Sequence, residues 1–155
     1  MPLYDIFKYK EDQLIERAIA LASISHIDQI DKVGYPYIYH PMRVMLHVTS
    51  RDEKVVAILH DTVEDTELTL LDLKYLGYPK RLIDAVDAIS KRDNETNDDY
   101  MNRCVVNPIA RAVKIADLFD NMSPIRQAGL SPEDQLRLKE KYKKHLQIAL
   151  SYDDS

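Results

Sequence analysis

The chain has 155 residues, 45% of them hydrophobic and 30% charged, with a formal net charge of -5. This profile suits one soluble domain spanning residues 1–155 and argues against a nucleic-acid binder, which would show a basic footprint. Cys104 is the one cysteine, so an internal disulfide framework or a cysteine zinc site is excluded. No apolar run nears the roughly 20 residues of a membrane span, and the segment from Met1 to Asp5 lacks a signal peptide's charged and apolar regions. A cytoplasmic protein with no membrane partner is the expectation.

From Glu11 to Ser25, Leu14, Ile15, Ala18, Ile19, Leu21 and Ala22 recur at helical spacing. Residues Ser25 to Pro41 follow with two prolines, a glycine and three tyrosines, the composition of a loop with at most a short extended piece. Pro41 suits the first turn of a helix reaching Val48, which would put His40 at its mouth. His26 reads as structural. Ser50-Arg51-Asp52-Glu53 has capping-box spacing and starts the helix that carries Val55-Val56-Ala57-Ile58-Leu59. Thr69 to Asp72 repeats that logic, with Gly77 as a stop, and Pro79 opens a helix to about Ser90. Lys91 to Asp99 is the most polar stretch, a solvated loop or a lid over a site. Tyr100 to Val105 forms a short helix, and Pro108 opens the next. Ser131-Pro132-Glu133-Asp134 is an N-cap serine, a proline and two first-turn acids. It starts a last helix that runs to about Leu150 and packs through Leu136, Leu138, Tyr142, Leu146, Ile148 and Ala149. No stretch alternates with period two. The fold class is all-α, six to eight helices in a compact bundle around a polar site.

That site is centred on His60-Asp61-Thr62-Val63-Glu64-Asp65, directly after the apolar run. Burying an imidazole with three carboxylates is costly unless a cation compensates. His40, His60, Asp61 and Asp117 are the candidate ligands. Asp117 lies in the apolar stretch Ile115-Ala116-Asp117-Leu118-Phe119, and Asn121, four residues on, shares its face. Two imidazoles and two carboxylates suit Mn²⁺ or Fe²⁺, and zinc accepts the same donors.

Three segments carry a resemblance. They are Lys32-Val33-Gly34-Tyr35-Pro36-Tyr37-Ile38-Tyr39-His40-Pro41, His60-Asp61-Thr62-Val63-Glu64-Asp65-Thr66, and Val113-Lys114-Ile115-Ala116-Asp117-Leu118-Phe119-Asp120-Asn121-Met122. In order and spacing they resemble the hydrolase domain of the RelA/SpoT homologues in the HD phosphohydrolase superfamily. The stand-alone small alarmone hydrolases, which include a metazoan SpoT homologue, are the nearest type. The resemblance implies an HD-domain fold and Mn²⁺ held by His40, His60, Asp61 and Asp117. It implies that Glu64 and Asp65 position and activate water, that Lys32 and Asn121 contact the nucleotide, and that the 3′-pyrophosphate of guanosine tetra- or pentaphosphate is removed. Two positions depart from the pattern. Asp31 stands where the family carries a base-packing arginine, and Pro124 stands where a threonine is usual. Another nucleotide or NADPH as substrate, and a non-catalytic nucleotide-binding module, are the alternatives.

Overall fold

A computed structural model describes residues 3–154 of the chain. In chain order the helices are α1 Leu14–Ser25, α2 Tyr39–Leu46, α3 Arg51–Leu59, α4 Thr62–Asp65, α5 Leu70–Tyr75, α6 Lys80–Ile89, α7 Asn97–Val106, α8 Pro108–Asn121, α9 Pro124–Gln127 and α10 Pro132–Ser151. Eight of these have six or more residues, and α4 and α9 are single turns. Among the described residues there is no strand, only an isolated antiparallel bridge between Ile30 and Pro36. The architecture is the expected all-α one.

The centre is α3. Val55, Val56, Ala57, Ile58 and Leu59 are each fully buried. Five consecutive apolar residues cover every side of a helix, and such a helix is stable only when enclosed. α1, α2, α6 and α8 enclose it, and α8 in turn packs against α7 and α10. Each of those α3 side chains larger than alanine contributes about 1.5–3 kcal/mol by leaving water.

The helix ends follow from local chemistry. Ser50 accepts from the Glu53 amide while Glu53 accepts from the Ser50 amide, and Thr69 and Asp72 do the same for α5. Such a cap is worth about 1 kcal/mol. α5 stops where Gly77 takes φ +86°, with the Gly77 amide on the Lys74 carbonyl and the Tyr78 amide on the Leu73 carbonyl. Only a left-handed residue closes both bonds, and glycine adopts that conformation without a Cβ clash.

Two expectations shift. α2 begins at Tyr39, so Pro41 is its third residue and His40 lies inside the first turn. The proline costs nothing there, because amides of a first turn have no partner within the helix. On α10 the buried positions are Leu138, His145 and Ala149, while Leu136 is 63% exposed. The packed face therefore runs 138, 142, 145, 149, one step round the helix from Leu136.

Candidate active site

α3 delivers His60 at its C-terminal end, and the chain turns through Asp61 into α4, which carries Glu64 and Asp65. α2 brings His40 and α8 brings Asp117. The four candidate ligands meet. His40, His60 and Asp61 each offer a ligand atom within 4.8 Å of the others. Asp117 Oδ1 lies 3.1 Å from His40 Nε2 and 3.5 Å from His60 Nε2. Asp61 Oδ2 lies 3.1 Å from His60 Nε2 and accepts from the Tyr37 hydroxyl at 2.7 Å.

The imidazoles are locked in one orientation. His60 Nδ1 is 2.6 Å from the Ala57 carbonyl, which can only accept, so the proton sits on Nδ1 and Nε2 keeps its lone pair. That buried Nε2 has no hydrogen-bond partner. His40 Nδ1 is 2.6 Å from Asp120 Oδ2, and Arg43 grips the same carboxylate through Nε at 2.7 Å and a terminal nitrogen at 3.1 Å. A histidine whose outer nitrogen is held by a carboxylate is the usual companion of a metal site. Two inward lone pairs, one of them orphaned, beside two carboxylates fit a divalent cation, and the cluster could hold one.

Electrostatics reinforce this reading. Burial opposes a charge on His60, yet Asp61 and Asp117 outweigh burial and raise its pKa well above the ordinary imidazole value, so these carboxylates draw positive charge to Nε2 and a proton and a metal ion compete for its lone pair. Burial alone would raise Asp117, but Lys114 and the two imidazoles hold it well below the usual carboxylate range. Glu64 and Asp65 behave differently. Burial raises both, and the nearby Asp61 charge adds to it, while the Lys91 amide donates to Glu64 at 2.8 Å and tempers the shift. Two carboxyls raised above their ordinary values beside a cluster that could hold a cation can take or give a proton.

The cluster opens into a cavity of about 360 Å³ that reaches Lys32, Asn121 and Arg126 on one side and Lys91, Lys114, Lys141 and His145 on another. Asn121 donates to Asp117 Oδ1 at 2.7 Å, one turn along α8. All eight predicted site residues therefore line one cavity. The polar loop after α6 is tied down rather than free. Arg103 holds Glu95 with nitrogens at 2.8 and 2.9 Å and reaches the Asp87 and Ser90 carbonyls. This loop places Lys91 and Asn97 on the cavity wall.

Sequence reasoning passed over several of these residues. Asp120 and Arg43 carried a signal only in part, since Asp120 lies inside the third motif but Arg43 lies outside all three. Lys141, Tyr142 and His145 sit on a helix read as packing. Asp31, at the position where the family carries its base-packing arginine, does not line the cavity. Its side chain is 5% exposed, and Oδ1 accepts from the Val33 and Tyr35 amides at 3.0 and 2.9 Å, closing the turn in which Gly34 takes φ +89°. It faces its own loop and is not on the cavity wall.

No family model matches the chain. Among curated proteins it is 33% identical over 136 residues to a probable GTP pyrophosphokinase of Mycobacterium leprae, covering 80% of this chain and 17% of the relative. It is 30% identical over 122 residues to a guanosine-3′,5′-bis(diphosphate) 3′-pyrophosphohydrolase of Aquifex aeolicus, covering 72% of this chain and 18% of that one. The chain thus spans under a fifth of the length of these relatives. Among solved structures it superposes on a metazoan orthologue of SpoT, described as hydrolysing ppGpp, with a TM-score of 0.76 and 21% identity. That match covers 95% of this chain and 90% of the other. In sequence the chain is similar to one segment of these guanosine-nucleotide pyrophosphokinases and pyrophosphohydrolases, and it shares the all-α fold of the SpoT orthologue.

Proposed function

We propose that this RelA/SpoT relative is a metal-dependent nucleotide phosphohydrolase, residues 1–155 acting as one HD-type unit, and that it removes the 3′-pyrophosphate of guanosine 3′,5′-bis(diphosphate). The observation that carries the reading is the placement of Glu64 and Asp65, both raised above the ordinary carboxylate value by burial and the Asp61 charge, beside the imidazole–carboxylate cluster in one cavity. A binding module has no use for two protonatable acids at that place. The relatives' names and the superposed SpoT orthologue support the same chemistry.

His40, His60, Asp61 and Asp117 would hold the ion, with Mn²⁺ as the assignment that the donor set and the resemblance favour. When bound, a divalent ion there lowers the pKa of water and offsets the charge of the phosphates. The rest is the work of the chain. A water oxygen bonds to the phosphorus attached to the ribose 3′ oxygen, the bond from phosphorus to that oxygen breaks, the water's proton passes to the acid pair, and a proton from the pair completes the 3′ hydroxyl of the leaving nucleotide. Glu64, fixed by the Lys91 amide, is the better-held acceptor. Lys32 and Asn121 face the nucleotide. Lys91, Lys114 and Lys141 line the far wall and suit the remaining phosphates.

One observation favours a second reading, a different nucleotide or NADPH as substrate. Asp31 brings no guanidinium to the cavity, so the recognition wall differs from the family pattern. A panel decides: purified protein with Mn²⁺, guanosine tetraphosphate, NADPH and other nucleotides, products separated by ion exchange. Release of pyrophosphate and guanosine diphosphate, abolished by a chelator, is the expected result. A folded protein that turns over no nucleotide would overturn the reading.

A further inference from the structure

Arg126 joins two features that the sequence left as separate oddities. Pro124 opens α9, and that single turn carries Arg126 to the cavity mouth. There one guanidinium nitrogen lies 3.5 Å from Asp31 Oδ2 and another donates to Asn121 Oδ1 at 3.2 Å. Its central carbon sits 5.9 Å from the Tyr37 ring centroid. Asp31 and Pro124 thus cooperate, one by starting the turn that projects the arginine and the other by meeting it.

Beside Arg126 a small side pocket of about 50 Å³ branches off, sharing Lys32, Asn121, Arg126 and Tyr142 with the main cavity. Its remaining walls are Val33, Leu130, Leu138 and Gln127. A space that admits one water takes roughly 10–15 Å³ by this measure, so the pocket admits the edge of a ring. Val33 and the loop before α10 are pressed together there, since a Cβ added to Gly129 would collide with Val33 Cγ1. Gln135 secures that loop by donating to the Gln127 and Leu130 carbonyls at 3.1 and 3.0 Å.

The chemistry separates from that of the lysine wall. Asp31 already offsets much of the Arg126 charge, which weakens it as a phosphate ligand. What remains is a flat guanidinium 5.9 Å from the Tyr37 ring centroid that shares the pocket lining with Val33, Leu130 and Leu138 and with the amide and phenol groups of Asn121, Gln127 and Tyr142. Guanidinium planes and apolar walls hold planar heterocycles by stacking, and polar rims read their edges. We propose that Arg126 is a specificity-determining residue that packs on the nucleobase, with the Val33–Leu130–Leu138 slot receiving an edge of it and Asp31 as its positioning residue. This rests on the nucleotide phosphohydrolase reading and assigns the base to one wall.

The test is equilibrium binding by calorimetry, with Mn²⁺ present, of two probes: guanosine diphosphate and inorganic pyrophosphate. Arg126→Ala should weaken guanosine diphosphate about tenfold or more and leave pyrophosphate within about twofold, the range expected for loss of one base–side-chain stack. Arg126→Lys keeps the charge without the plane and should not restore the loss. Equal weakening of both probes would make Arg126 a phosphate ligand and overturn the proposal, as would no weakening of either or full rescue by lysine. A parent protein that binds neither probe overturns the phosphohydrolase reading along with this one. A parent that hydrolyses nucleotides while Arg126→Ala binds guanosine diphosphate like the parent overturns this proposal alone.

Discussion

Two walls of the same cavity are built in opposite ways. The imidazole–carboxylate wall comes from α2, α3 and α8, the helices at the centre of the core, and its side chains are fixed by short bonds to buried partners. His60 is fixed by a backbone carbonyl, and His40 by Asp120, which Arg43 holds in turn. The cationic wall comes from α10, the loop after α6 and the turn of α9. Apart from that loop, which Arg103 ties down, its contacts are looser, 3.2–3.5 Å for Arg126, and burial followed by neighbouring cations lowers the pKa of both Lys141 and His145. Under the proposed function, the difference assigns the chemistry to the rigid wall and substrate contact to the other. Reacting groups need a fixed geometry before substrate arrives, whereas a phosphate-facing wall gains its counter-charge only when the anion enters.

Replacement on the rigid wall should therefore be the most damaging. Asp61→Ala removes a ligand candidate and the acceptor of Tyr37, and both Mn²⁺ binding by calorimetry and turnover should vanish together. A variant that kept turnover would end the idea that the cluster holds the working ion. Glu64→Gln should bind Mn²⁺ like the parent yet turn over roughly 10²–10⁴ times more slowly, the usual cost of losing a general acid–base group. Undiminished turnover would remove the acid pair from the mechanism. Asp120→Asn tests whether rigidity matters apart from the ligands themselves. It should weaken Mn²⁺ by about 10–100-fold, as loss of a ligand's outer partner does, with turnover recovering at saturating metal. Unaltered affinity would mean that His40 is oriented by packing alone.

The same contrast explains what could be read in the sequence. His60, Asp61, Glu64 and Asp65 are contiguous and follow an apolar run, so burial and charge collide visibly in six letters. Asp117 betrays itself in the same way inside Ile115 to Phe119. The all-α class was legible from periodicity and from the caps at Ser50, Thr69 and Ser131. The second wall sends no such signal. Lys141, Tyr142 and His145 lie among polar residues on a helix whose pattern looked like ordinary packing, and the register error at Leu136 hid which face turns inward. Asp31 was legible only in part for a related reason. Its identity showed a lost guanidinium, but its two bonds to backbone amides and the arginine 95 residues away that meets it exist only after folding.

The smallest expected effect belongs to His145, and it probes whether the second wall is strained before ligand binds. The imidazole is 3% exposed, and its pKa is pushed down to about 4 by burial first, then by Lys114 and Lys141, with Asp98 opposing. An unfolded chain has an ordinary value near 6.5. Above that pH the group is neutral in both states and costs nothing. As pH falls below about 6.5 the unfolded chain takes up a proton that the folded one refuses, so stability drains away until pH reaches about 4. The full loss is on the order of 1–3 kcal/mol. Glu64 and Asp65 shift in the opposite sense, but they are present in parent and variant alike and cancel in the comparison. Urea midpoints at pH 7 and pH 4.5 should therefore fall further for the parent than for His145→Gln. Midpoints that move in parallel would show that the imidazole accepts its proton without penalty, and that the cationic wall is not strained by repulsion in the free protein.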